Sequence, residues 1–252
     1  RKALVTCNQN FTDGTIWGGE ILIAGYKGFT RRFHLAPVPL PGGDLAVRKP
    51  ARMALSYLLA AGIDLEDQTL PPVAYLTPAE TQSVRHQAHT GFNAPLTSSV
   101  GRLFDAVAAL IGLCEEISYE AQAAMMLESA TDPQGGGFYE MPLENDVINP
   151  LPMIRAIVAD LKAGVSAGSI AARFHNSLVR MSVEACRQSR QETELRTVAI
   201  SGGVWQNMRL MNLILPALEA EGFTPLFHNQ LTPNDGCVSL GQAAVALARL
   251  QG

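Results

Sequence analysis

The sequence predicts a mixed α/β fold, on three observations. Short β-branched runs open the chain, helical periodicity fills its middle, and the last sixty or so residues read strand, helix, strand, helix. A strand–helix–strand connection of that length makes the two strands parallel neighbours.

The elements follow in order. Residues 2–7 read as a strand, and a Gly-rich turn, Asp13-Gly14-Thr15-Ile16-Trp17-Gly18-Gly19, comes next. Residues 20–24 and 29–35 read as two further strands around Tyr26-Lys27-Gly28, so the segment 1–45 is a strand-hairpin region. Pro37, Pro39 and Pro41 with Gly42-Gly43 form an extended connection. Helical spacing then holds from 46 to 89, interrupted at Pro71-Pro72. Thr97-Ser98-Ser99 is a helix start, after which Leu103, Val107, Leu110 and Ile111 share a face. Further helices are predicted over 119–129, 152–163 and 170–191, with a Gly/Pro-rich loop at 132–149. The segment 46–190 is therefore a mostly helical insertion, and 191–252 is a βαβα unit.

Composition bounds the function. The 252 residues are enough for a full hydrophobic core, with 47% apolar and 17% charged residues. A net charge of −4 without a basic stripe argues against nucleic acid as a partner. Cys7, Cys114, Cys186 and Cys237 are scattered without a Cys-x-x-Cys pair, which fits free thiols in a reducing compartment such as the cytoplasm. No apolar run reaches membrane-spanning length. The chain begins at Arg1 and runs almost at once into Ala3-Leu4-Val5, which reads as part of a longer polypeptide.

The most informative stretch is Thr197-Val198-Ala199-Ile200-Ser201-Gly202-Gly203. A strand that stops at paired glycines beneath a helix start lets backbone amides approach a ligand, and a helix N-terminus favours an anion or a polar edge. Pro233-Asn234-Asp235-Gly236 is a turn that presents a carboxylate before another apolar helix. Ligands of parallel sheets bind beyond the carboxyl ends of the strands, and both turns fall there, as does the loop after Val5. Taken singly, Ser201-Gly202-Gly203 reads equally as a packing turn, Asp235 as a helix N-cap and Asp105 as a solvated helix position.

Six segments occur in an order that carries a resemblance. They are Asp13-Gly14-Thr15-Ile16-Trp17-Gly18-Gly19-Glu20, Pro39-Leu40-Pro41-Gly42-Gly43-Asp44, Thr97-Ser98-Ser99-Val100-Gly101-Arg102-Leu103-Phe104-Asp105-Ala106-Val107, Ser118-Tyr119-Glu120, Ser201-Gly202-Gly203-Val204-Trp205-Gln206-Asn207 and Pro233-Asn234-Asp235-Gly236. Together they resemble the C-terminal transferase region of the HypF family, the carbamoyltransferases of [NiFe]-hydrogenase maturation. That region is similar to tRNA threonylcarbamoyl transferases and antibiotic O-carbamoyltransferases.

The resemblance implies the second lobe of the actin/Hsp70/sugar-kinase superfold, with a helical insertion. It implies transfer of a carbamoyl group from carbamoyl-adenylate, made from carbamoyl phosphate and ATP, to the C-terminal cysteine thiol of a HypE-family partner. An upstream lobe and an adenylate-forming module of the same polypeptide are implied as well. So are nucleotide contacts at Gly101, Asp105, Gly202, Gly203 and Asn207, and a divalent metal (zinc, iron or magnesium) on Asp235. The family's Asp-Gly-Thr-Gly loop after the first strand is replaced by Val5-Thr6-Cys7-Asn8-Gln9-Asn10-Phe11, with Thr6 where the acid would stand.

Two other readings follow. One is an inactive or degenerate lobe that keeps the fold and partner docking. The other is a sugar kinase of the same superfold, for which neither a catalytic base nor a phosphate loop is found. His86 and His89 read as an ordinary surface helix rather than a metal pair, His175 as a packed and hydrogen-bonded histidine, Ser98 and Ser99 as helix caps, and Cys237 as a buried thiol.

Overall fold

A computed structural model of the chain describes residues 2–7 and 14–251. The strands are β1 (Lys2–Cys7), β2 (Glu20–Gly25), β3 (Gly28–Leu35), β4 (Val38–Pro39), β5 (Leu96–Thr97), β6 (Leu143–Glu144), β7 (Val147–Ile148), β8 (Thr197–Ile200) and β9 (Thr224–Phe227). The helices are α1 (Asp44–Arg48), α2 (Pro50–Ala60), α3 (Pro71–Tyr75), α4 (Pro78–Thr90), α5 (Val100–Leu110), α6 (Gln122–Ser129), α7 (Leu151–Lys162), α8 (Ala167–Thr193), α9 (Met208–Ala220) and α10 (Val238–Leu250). The fold is thus mixed α/β.

The main sheet runs in the order β6-β7-β3-β2-β1-β8-β9. β1, β2 and β3 are joined antiparallel, whereas β1, β8 and β9 are parallel neighbours. The parallel β8–β9 pair is the one the strand–helix–strand reading requires, with α9 as its crossover. One correction falls in the segment read as a loop at 132–149. It carries the β6–β7 hairpin, and β7 adds to the sheet parallel to β3 through His34↔Val147 and Leu35↔Ile148. A two-residue strand offers no alternating run to recognise, and its pairing comes from β3 rather than from its own sequence.

The helices carry recognisable start and stop signals. Ser99 accepts from the Arg102 amide and caps α5. Thr77 and Glu80 form a reciprocal capping box on α4. Ser166 caps α8, which runs for 27 residues and ends at Glu194 in the left-handed conformation. α2 and α5 pack on each other and are buried over most of their length. Both are apolar nearly all round, as an interior helix must be. The core is continuous from Leu4 and Phe33 of the sheet through Leu55 and Leu103 to Phe174 and Ile214, and it includes Val38 and Leu40 of the proline-rich connection.

The C-terminal unit is different. α10 has an apolar sequence, VSLGQAAVALARL, and no buried residue. Leu240 and Leu247 are 61% and 57% exposed, and Leu226 and Phe227 of the edge strand β9 are open as well. Large apolar side chains exposed in this number mark a contact surface. Among the described residues no helix is long and apolar enough to cross a membrane.

Local stability should follow this division. In hydrogen exchange of the isolated chain, amides of α10 are expected to exchange at least about a hundredfold faster than those of α5, whose release requires opening of the core. Equal protection of the two helices would contradict the packing.

Candidate functional site

The carboxyl ends of β1 and β8 lie side by side, with Thr6 opposite Ile200. The chain leaves β8 through Ser201 to Gly202, whose φ of 109° and ψ of 156° suit only glycine. The Gly202 amide donates to the Pro233 carbonyl at 2.8 Å, which ties this turn to the loop before α10. A 3₁₀ turn, Gly203–Gln206, follows and leads into α9. Asn207 caps α9 by accepting from the Leu210 amide at 2.8 Å. The same side chain donates Nδ2 to His175 Nε2 at 3.0 Å, and His175 Nδ1 donates to the Ala171 carbonyl at 2.7 Å. This arrangement assigns the His175 proton to Nδ1. His175 has no exposed surface and packs edge-on to Phe104 and Phe174. Burial is the main force that lowers its pKa to about 4; the bond to Ala171 opposes it and the charge of Arg209 adds to it. The ring is therefore a neutral strut behind the turn.

Across from this turn stands Gly18-Gly19-Glu20. Glu20 opens β2 opposite Cys7, so it lies at the same sheet edge. It is 2% exposed, and four donors converge on its carboxylate. Arg31 Nε and Ser98 Oγ donate at 2.5 Å each, and the Gly18 and Gly19 amides donate at 3.3 and 3.4 Å. Arg31 also lies over the Trp17 ring, 4.0 Å from its centroid. The two glycines admit the start of α5 at close range. A Cβ on Gly19 would stand 2.5 Å from the Ser98 carbonyl, and one on Gly18 would stand 2.8 Å from Ser99 Cβ. Between the walls is a narrow, mostly apolar pocket of about 50 Å³, lined among others by Gly19, Glu20, Val100, Ser201, Gly202 and Trp205.

The residues expected from sequence fall into three groups. Gly202 and the first turn of α5, which holds Gly101, meet at the pocket through Val100. Gly203 begins the 3₁₀ turn with open space where a Cβ would stand. Asn207 is close by, 8% exposed and engaged at both ends, so it holds His175 and caps α9.

Asp105 does not line this pocket and is 3% exposed rather than solvated, facing Arg102 and Tyr57 between α5 and α2. Five residues beyond Val100, at 3.6 residues per turn, the helix has rotated its side chain by about 140° away from the pocket wall. Burial raises its carboxyl to about 6, against the pull of Arg102, whose Nη1 lies 2.9 Å from Oδ2. That contact is poorly aligned, so Arg102 Nη1, Asp105 Oδ2 and the Tyr57 hydroxyl are all buried without an aligned hydrogen bond.

Asp235 is exposed at the start of the 3₁₀ turn Asp235–Cys237, and the capping role at that turn belongs to Asn234, which accepts from the Gly236 amide at 3.1 Å. The described residues contain no group of three or more His, Cys, Asp or Glu that could hold a metal ion. They do not by themselves build the expected metal site. Of the run read as lacking its acid, Val5 to Phe11, Thr6 lies in β1 and residues 8–11 fall outside the described residues. Glu20, Arg31 and Ser98 were missed as a site. The available signal was an acid opening one strand and an arginine at Arg31 on the next, which antiparallel pairing brings to one face.

Two measurements check this geometry. Gly19→Ala should destabilise the protein by about 1–3 kcal/mol in chemical denaturation, because the added carbon meets backbone. Gly203→Ala should stay within about 0.5 kcal/mol. Equal costs would refute the close approach of β2 to α5.

The second measurement uses two opposed titrations. His175, lowered from 6.5 to about 4, contributes stability that is present above 6.5 and lost as pH falls toward 4. Asp105, raised from 3.8 to about 6, contributes stability that is present below 3.8 and lost as pH rises through 6. Each term is on the order of 2–3 kcal/mol, and between about pH 4 and 6 they offset one another. Asp105→Asn should remove one term, so that its stability falls more steeply than wild type between about pH 6 and 4, by roughly 2 kcal/mol. Parallel pH profiles in urea titrations would overturn the assignment.

With the geometry in place, the likeness to known proteins can be stated. Residues 11–242 match the family "Carbamoyltransferase, Kae1-like Domain, second subdomain" of HypF proteins. The chain is 41% identical over 242 residues to carbamoyltransferase HypF of Rhodobacter capsulatus, covering 95% of this chain and 31% of that protein. It is 35% identical to carbamoyltransferase HypF of Synechocystis, covering 95% and 32%. The crystal structure of full-length HypF in its phosphate- and nucleotide-bound form superposes with a TM-score of 0.93 at 35% identity, over 100% of this chain and 34% of that one. That of T. kodakarensis HypF superposes at 0.87 and 28% identity, again over 100% and 34%. The chain spans about a third of the length of these relatives. It belongs to the HypF carbamoyltransferase family, within which it corresponds to the second subdomain of the Kae1-like domain.

Proposed function

We propose that this chain is one lobe of an actin/Hsp70-type carbamoyltransferase, which passes a carbamoyl group from carbamoyl-adenylate to the C-terminal cysteine thiol of a HypE-family partner. In that step an S–C bond forms at the carbamoyl carbon, the C–O bond to the adenylate phosphate breaks, the thiol proton goes to a base, and AMP leaves. The observation that carries the reading is the sheet edge where the Ser201-Gly202-Gly203 turn faces the Gly18-Gly19 turn across one pocket. Both turns bring backbone close without side chains, which suits a nucleotide. A relative of the same fold was crystallised bound to phosphate and nucleotide.

The residues have separate tasks in this reading. Gly101, Gly202 and Gly203 let the backbone lie against the nucleotide. Asn207 and His175 hold the turn from behind, Glu20 and Arg31 fix the opposite wall, and Asp105 secures α5 against α2. A divalent metal would take one ligand from Asp235 and the others from elsewhere in the polypeptide. The bare face of α10 and β9 is the contact surface for the upstream lobe.

A second reading is favoured by one observation, the lack of a metal-holding group among the described residues. In it, this lobe keeps the fold and docks the partner without turnover.

The test is carbamoylation of the partner's C-terminal cysteine, followed by mass spectrometry with carbamoyl-adenylate supplied. The chain alone should give no transfer, and the full-length polypeptide should. Gly203→Val in the full-length polypeptide should raise the KM for supplied carbamoyl-adenylate about tenfold or more with the fold intact. Transfer by the chain alone at the full-length rate would sink the two-lobe reading. A full-length polypeptide that docks the partner without transferring would establish the second.

A further inference from the structure

α4 places Gln82, Arg85, His86 and His89 at i, i+3, i+4 and i+7, on one helix face. These four residues form one wall of a pocket of about 620 Å³. The facing wall is apolar, made by Pro39, Leu59 and Ala60, with Ser56 donating to the Pro39 carbonyl at 2.6 Å. Among the described residues no carboxylate lines the pocket. It lies against the helical layer and shares no lining residue with the pocket between the two glycine turns.

The charges around it are unequally engaged. Lys49 pairs with Glu80 at 2.9 Å and lies 4.0 Å from Glu116, and Arg52 binds the Pro41 carbonyl and Gln87. Arg85 has only loose contacts, 3.5 Å to Glu66 and 3.9 Å to Asp64, both largely in solvent where such pairs contribute little. The imidazoles of His86 and His89 and the amide of Gln82 make no hydrogen bond among the described residues. Donors are thus in excess on a wall without an acid. A cation would find two imidazoles and no third ligand there, since no group of three metal-binding side chains exists among the described residues. The volume lies within the ordinary range for small-molecule sites, which combine apolar walls with a few convergent polar groups.

We propose that this pocket binds a small organic phosphate. The dianionic head lies against Arg85, His86 and His89, and the apolar body lies on Leu59, Ala60 and Pro39. Three donors match the three phosphate oxygens.

Phenyl phosphate is the probe, with benzoate and phenol as comparison ligands. Binding is followed by calorimetry and by the histidine ring resonances in the full-length polypeptide. Saturable phenyl phosphate binding is expected, stronger than benzoate and far stronger than phenol. Arg85→Gln should weaken it about tenfold or more. The double variant His86→Gln, His89→Gln should weaken it as well, and far-UV circular dichroism should match wild type because the substituted side chains are on the surface. Absence of saturable binding would overturn the proposal. So would equal binding of phenol, unchanged affinity in both variants, or ring shifts produced by zinc and not by phenyl phosphate.

Discussion

The architecture depends on one buried carboxylate. Glu20 has no solvent-exposed side-chain surface and answers to Arg31 from β3, Ser98 from the approach to α5, and the two amides of Gly18-Gly19. A charge taken out of water must be fully paired, because breaking one partner of such a set costs about 3–5 kcal/mol. Glu20 therefore joins the sheet, the glycine turn and the helix start in one fixed relation. The glycines make the relation possible: with Gly19 replaced, the Ser98 carbonyl could not come so near. Ser99, next in sequence, caps α5, so one short segment both closes the carboxylate shell and starts the helix.

The opposite wall is held by a neutral network. Parallel pairing of β8 with β1 and β9 sends the Gly202 turn to the edge that Glu20 occupies, and the Gly202–Pro233 hydrogen bond carries the pre-α10 loop to it. Behind the turn, His175 links the interior of α8 to the cap of α9 through Asn207. A protonated His175 would face an Asn207 amide donor and the charge of Arg209, so the network holds only while the ring is neutral. The two walls thus use different physics, charge saturated by donors on one side and an uncharged relay on the other. At the glycines of the two turns, backbone faces a pocket otherwise lined by apolar side chains such as Val100 and Trp205.

Much of the fold was legible because its signals are local. Alternating strands, the Thr97-Ser98-Ser99 start and the β8–α9–β9 unit each carry their own pattern, and the structure has them. The β6–β7 hairpin was not legible, since its place is set by β3. For the site, the glycine turn at Gly202 was readable from strand length and paired glycines. The burial of Asp105 was not, because its surroundings come from α2, some fifty residues earlier. Ser98 looked like a cap and is instead a ligand of Glu20. The roles that sequence misplaced are those that depend on which distant element lies opposite.

The interior helices and the C-terminal unit differ in what secures them. α2 and α5 are enclosed, so even their polar residues Asp105, Arg102 and Tyr57 are held by packing despite imperfect hydrogen bonding. α10 has the opposite character, an apolar helix with nothing buried, which packs on the turn Asp235–Cys237. Area bookkeeping at about 25 cal/mol per Å² makes such a helix a poor contributor to stability until its apolar face is covered. The turn with Asp235 lies between these regimes: it is tied to Gly202 by a single backbone hydrogen bond and continues directly into the bare helix. The packing of α10 therefore bears on how rigidly Asp235 is held, since the turn and the helix are one continuous segment.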